Sequence, residues 1–267
     1  MNSIINIGLP HIAEQIFNQL STESLFKCRQ VSETWQRLVE RILVERQVQL
    51  DTDHLDRTVF ISACRQKDAA VVQLLIQNAE RHYINFDIGD KDGVTGLMYT
   101  CLYGYKDVIK LLLNRSLNNN IALNAEDNLG RTAFHYACES GRPDVVKWFL
   151  DKRNVDFNAR NSFGETPFMK ACERGCVEVV EILLNYSEID LNVRNIYGKT
   201  AFMVACEFEQ VKIVRLLLSY SGERRIIVPS RDEEREGKYS TQIAAMLDDL
   251  AIMGGILPDP KRRRFTH

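Results

Sequence analysis

The chain has 267 residues, 45% of them apolar and 26% charged, with a formal net charge of −2. The apolar share supports a packed core, and a charge so near neutral gives no reason to seek nucleic acid or an anionic membrane surface. No apolar run approaches the roughly 18–20 residues of a bilayer span, so neither nucleic acid nor a membrane is an expected partner.

The first predicted elements are three short helices within residues 1–48. Behind Leu9-Pro10, the apolar residues Ile12, Ile16, Phe17 and Leu20 recur at helical spacing. Ser21 or Thr22 suits the cap of a second helix around Leu25 and Cys28, and Ser32 the cap of a third carrying Trp35 and Leu38, with Ile42 and Val44 extending it. Three helices in about forty residues barely close a core of their own, so this module should lean on a partner. The opening Met1–Gly8 lacks the basic-then-apolar build of a signal peptide.

One pattern then repeats five times through residues 49–231. Thr58, Thr95, Thr132, Thr166 and Thr200 each stand six residues before a cysteine: Cys64, Cys101, Cys138, Cys172 and Cys206. A β-branched pair and an apolar triplet follow each at fixed distance, as in Val179-Val180 and Ile182-Leu183-Leu184. The threonines are 37, 37, 34 and 34 residues apart. A period near 33 marks a stack of units that bury their apolar faces only against their neighbours. In the fourth unit Gly164 suits a chain reversal, Thr166 caps a helix, Pro167 fits its first position and Gly175 stops it in a left-handed turn. The longer early spacings place extra loop residues near His82–Asp87 and Asn118–Asn120.

Five of the seven cysteines occupy the same place in the repeat. Equivalent positions in adjacent units lie roughly 10 Å apart, beyond the separation of about 7 Å a disulfide tolerates. They read as small packing residues, which fits the reducing cytosol or nucleus. His135 beside Thr132 reads as a structural histidine of a turn. No Gly-rich phosphate loop, metal-ligand spacing or matched nucleophile and base occurs, so no cofactor, metal or catalytic residue is expected.

The repeated units resemble the ankyrin repeat. Gly130-Arg-Thr-Ala-Phe-His135-Tyr-Ala137 and Gly164-Glu-Thr-Pro-Phe-Met-Lys-Ala171 carry the family's hairpin and first-helix motif. Only the fourth unit keeps the proline and only the third the histidine. The first has Asp56 and Lys67 where glycines are expected, which implies either a distorted unit or one docked on what precedes it. The N-terminal stretch resembles an F-box through Leu9-Pro10, Ile16-Phe17, Leu20, Ser24-Leu25, Cys28, Val31-Ser32 and Trp35.

Together the resemblances imply an all-α chain: an F-box-like module over 1–48, five ankyrin repeats over 49–231, and a capping helix with a basic tail over 232–267. Members of the F-box family bind a Skp-type adaptor of a cullin–RING ubiquitin ligase, and a second domain captures the protein to be modified. By resemblance Leu9, Pro10, Ile16, Leu25 and Trp35 form or support the adaptor face. The repeat register places Tyr103, Leu129, Phe163, Ile196, Tyr197 and Phe208 at nominally exposed positions, and apolar or aromatic groups there suit target binding. The alternative is an ankyrin scaffold or transcription-factor inhibitor with no ligase attached. In the tail, Ile243, Met246, Leu247 and Leu250 have helical spacing, and Lys261–Arg264 is either a nuclear import signal or a solvated end.

Overall fold

The computed structural model describes residues 10–29, 33–48, 58–82, 85–116, 121–152, 154–224 and 226. All regular structure among them is α-helical. The chain divides into two compact units, Met1–Asn128 and Leu129–His267. The first therefore joins the N-terminal module to two repeats, and the second holds three.

In the first unit, α1 (Pro10–Asn18), α2 (Thr22–Arg29) and α3 (Glu33–Val48) match the three expected helices. Ser21 starts α2, its hydroxyl accepting from Ser24 N–H at 3.2 Å. Phe17, Leu25, Val39, Ile42 and Leu43 are fully buried between them. The core does not stop there. α2 and α3 pack on α4 (Val59–Arg65), and α3 also packs on α5 (Ala69–His82). Asp68 fixes this junction. Its carboxylate takes two bonds of 2.8 Å from Arg29 Nη2, and Oδ1 also accepts from Val71 N–H at 3.1 Å, capping α5. The first repeat is docked on what precedes it, as one of the two expectations had it.

The second repeat is α6 (Gly96–Tyr103) and α7 (Lys106–Ser116). The second unit holds the pairs α8 (Ala133–Glu139) with α9 (Pro143–Leu150), α10 (Pro167–Glu173) with α11 (Val177–Leu184), and α12 (Ala201–Glu207) with α13 (Val211–Arg224). Within it α10 packs against both α8 and α12, and α11 against α9 and α13. Each pair buries its apolar stripe against the next, which is how a repeat unable to close its own core becomes stable.

The threonines act as the spacing requires. Thr58, Thr95, Thr166 and Thr200 hydroxyls each accept from the backbone N–H three residues on, at 3.3–3.4 Å, so an orphan amide donor of each first helix is satisfied. The cysteines at the shared position are buried and form no disulfide. Burial is the main cause that pushes the Cys64, Cys101 and Cys172 thiols well above their ordinary range.

Two expectations are corrected. Lys67 does not distort its unit. It takes φ 60°, the conformation that Gly104 (φ 67°) and Gly175 (φ 70°) take at the same place, and Glu209 (φ 54°) does so in the fifth repeat. Asp68 N–H then bonds Ala63 C=O at 3.0 Å, and Gln210 N–H bonds Ala205 C=O at 2.9 Å, so the turn itself repays the strained backbone. Of the loop expected over His82–Asp87, His82 is instead the last residue of α5, whose buried stripe runs on to Ala79, while 85–87 are non-helical as expected. Asp56, Asn118–Asn120 and the tail over 232–267 lie outside the described residues.

Candidate protein-binding surfaces

The sequence-predicted adaptor residues fare differently. Ile16 is half-buried on α1 beside the fully buried Phe17. Leu25 is fully buried in α2, so its contribution can only be through packing. Pro10 opens α1 and Trp35 sits in the first turn of α3, but their side chains, like all of Leu9, lie outside the described residues. Arg46 ties α1 down by donating from Nη2 to Asn18 C=O at 2.8 Å, which holds the module's first helix against its third.

In the second unit the hairpin tips are built by a recurring asparagine. Asn161 Oδ1 accepts from Phe163 and Glu165 N–H at 3.0 and 2.9 Å, while Gly164 N–H donates to Asn161 C=O at 2.7 Å. Asn195 repeats the arrangement with Tyr197, Lys199 and Gly198. Gly164 (φ 69°) and Gly198 (φ 73°) supply the left-handed residue each tip needs. The tips are also tied to one another. Ser162 N–H donates to Leu129 C=O at 2.8 Å, and Ile196 N–H to Phe163 C=O at 3.0 Å. Leu129, Phe163 and Tyr197 thus occupy equivalent places on three linked tips, with Ile196 beside Tyr197.

These side chains are exposed: Leu129 43%, Phe163 41%, Ile196 61% and Tyr197 65%. Four large apolar side chains on consecutive linked tips form an apolar row of the kind that marks a protein-contact surface. Phe208, 50% exposed, follows the C-terminal end of α12, a helix length from the tip at its start. The structure does not bring it into the row.

Tyr103 belongs to the first unit and to a different arrangement. Its ring stacks on Tyr99 at 6.1 Å and on Tyr105 at 5.4 Å. Tyr99 donates to Asp90 Oδ2 at 2.6 Å and Tyr105 to Arg65 C=O at 3.0 Å. Burial, with the Asp90 bond next, pushes the Tyr99 phenol up. Sequence reasoning missed Tyr99 and Tyr105. Tyr99 is one helical turn before Tyr103, a spacing that puts both on one face. Tyr105 is returned to that face by the left-handed turn at Gly104.

His135 is fully buried. Nδ1 accepts from Thr132 N–H at 3.1 Å, so the proton sits on Nε2, which donates to Glu165 C=O at 3.1 Å. The ring thereby joins the third repeat's cap to the fourth repeat's hairpin. That is a structural role, with no open face for a substrate.

The family model for ankyrin repeats (3 copies) matches residues 60–161 and 152–226, more than half of the chain. The family model for the F-box domain matches residues 8–46. Among curated proteins, no relative matches the chain.

Proposed function

The chain belongs to the ankyrin-repeat proteins and carries an F-box domain at its N-terminal end, and from that premise we propose that it is the substrate-recognition subunit of a cullin–RING ubiquitin ligase. F-box domains bind Skp-type adaptors and ankyrin repeats bind proteins, so the two modules supply the two contacts such a subunit needs. Leu9, Pro10, Ile16 and Trp35 would meet the adaptor, with Leu25 supporting them from the core. Leu129, Phe163, Ile196 and Tyr197 would meet the target, with Tyr103 and Phe208 as further contacts. The chain itself does no chemistry in this reading. It raises the local concentration of a target near the charged ubiquitin carrier.

The observation that carries the reading is the fusion of an F-box to repeats whose tips expose an apolar row. The Arg29–Asp68 clamp supports it, because it ties the F-box to the first repeat in a fixed geometry. No helix among the described residues is long and apolar enough to cross a membrane, and work in the cytoplasm or nucleus is part of the proposal.

The test is reconstitution. Purified full chain, Skp-type adaptor, cullin–RING core and ubiquitin-charged carrier are combined with proteins that cross-link to the repeats. The proposal expects chain-dependent ubiquitination of those proteins, lost when Phe163 and Tyr197 are both replaced by alanine. A chain that binds such proteins but never the adaptor would be the scaffold or inhibitor instead.

A further inference from the structure

The first unit carries cations that form no ion pair with another described residue. Arg65 closes α4, half-buried, with its guanidinium 5.4 Å from the Tyr99 ring and its buried Nε without a hydrogen-bond partner. Lys67 is exposed, its ammonium 5.7 Å from the Tyr105 ring. Neither forms an ion pair with a described residue, nor does the exposed Lys27 nearby. The carboxylates of this region are already engaged: Asp68 by Arg29, and Asp90 by Tyr99 and two backbone amides.

A cleft of about 280 Å³ opens at the same place, lined by Phe26, Lys27, Arg29, Gln66, Lys67 and Asp68. Three cations and one carboxylate face it, and that carboxylate is spent on Arg29. Arg29 Nη1 is buried there with no hydrogen-bond partner. The cleft residue Lys67 lies over the Tyr105 ring, on which Tyr103 stacks; Tyr103 and its chain neighbour Leu102 are 37% and 36% exposed. A basic cleft flanked by exposed apolar and aromatic side chains is complementary to one chemistry: carboxylates interleaved with apolar side chains.

We propose that this face of the first unit docks an acidic segment of the captured protein, its carboxylates meeting Lys27, Arg65 and Lys67 and an apolar side chain packing on Leu102 and Tyr103. This rests on the reading of the repeats as a capture surface and names the chemistry of what they capture. The charges give register and on-rate, while the apolar contact supplies much of the affinity.

The experiment uses the full chain and a short fluorescein-labelled peptide alternating glutamate with leucine, with its lysine–leucine counterpart as control, read by fluorescence anisotropy. The proposal expects the glutamate peptide to bind and the lysine peptide not to. Binding should weaken steadily with added salt, as contacts between partly exposed charges do. Lys27→Gln, Arg65→Gln and Lys67→Asn should each weaken it about threefold, and the three together about thirtyfold. Asparagine keeps the left-handed backbone at 67. Arg174→Gln is the matched control, since the Arg174 guanidinium is already bonded to Glu139 in the second unit. Helix content by circular dichroism separates lost binding from lost folding. Equal binding of the two peptides, or an unchanged affinity in a folded triple variant, overturns the proposal. Adaptor binding is measured on the same variants. Its survival when peptide binding is absent leaves the ligase reading standing, and its absence when the peptide binds sinks that reading alone.

Discussion

The two units use one repeat frame and finish it oppositely. In the second unit several cations are paired within the chain: Arg174 with Glu139, Lys170 with Glu173 and Glu165, and Lys199 with Glu207. Glu139 raises the Arg174 pKa accordingly. In the first unit Arg65 stands where the later repeats have Glu139, Glu173 and Glu207, and both it and Lys67 lie over tyrosine rings and pair with no carboxylate among the described residues. The tips differ in the other direction. Leu129, Phe163 and Tyr197 make the second unit's tips apolar, while the one equivalent residue described in the first unit is the exposed Asp92. The frame residues fix the helices and leave the positions between them free, so each unit carries its own contact chemistry on the same backbone.

The largest effect expected on this contrast comes from Arg29→Ala. It leaves Asp68 mostly buried and without its cation, which costs about 3 kcal/mol or more. Native-state hydrogen exchange should show faster opening of α3 through α5 while α10 through α13 keep their protection. Adding Asp68→Asn to Arg29→Met should recover most of the loss, because asparagine retains the cap on Val71 and no charge is stranded. Equal loss of protection in both units would show that the junction is not local to the first.

Next in size is His135→Ala, which breaks the corresponding tie in the second unit. It strands Thr132 N–H and Glu165 C=O, for about 2 kcal/mol, read as faster exchange in α8 and α10 with α4 through α6 unaffected. Gly96→Ala should cost about 1–2 kcal/mol in the first unit, since a Cβ there would stand 2.5 Å from the Phe60 ring. Its readout is a lower urea midpoint, and an unchanged midpoint would mean that Phe60 moves freely. The smallest change in stability belongs to Phe163→Ala with Tyr197→Ala, within about 0.5 kcal/mol at Tyr197, which is largely in solvent, and about 1 kcal/mol at the 41% exposed Phe163. Thermal unfolding should hardly shift, whereas target capture should be lost. A large shift would mark the tip row as packing surface.

Much of the frame was legible in the sequence because its residues do local jobs. A threonine caps the helix three residues ahead of it, and a cysteine fills a small buried space in every unit. What was illegible depended on distance or on backbone state. Lys67 in a left-handed turn cannot be read from its side chain, and neither can the return of Tyr105 beside Tyr103. Arg29 and Asp68 are 39 positions apart, and only tertiary packing joins them. The tip residues were found because register alone exposes them, while the resemblance that names Leu25 as forming or supporting the adaptor face does not say which, and its full burial leaves only support.

The account stands most directly on calorimetric titration of the purified full chain with a recombinant Skp-type adaptor. It predicts a one-to-one complex whose affinity is unchanged by Phe163→Ala with Tyr197→Ala and sharply reduced by replacing Pro10 and Ile16. No heat of binding from a chain whose helices are intact would contradict it.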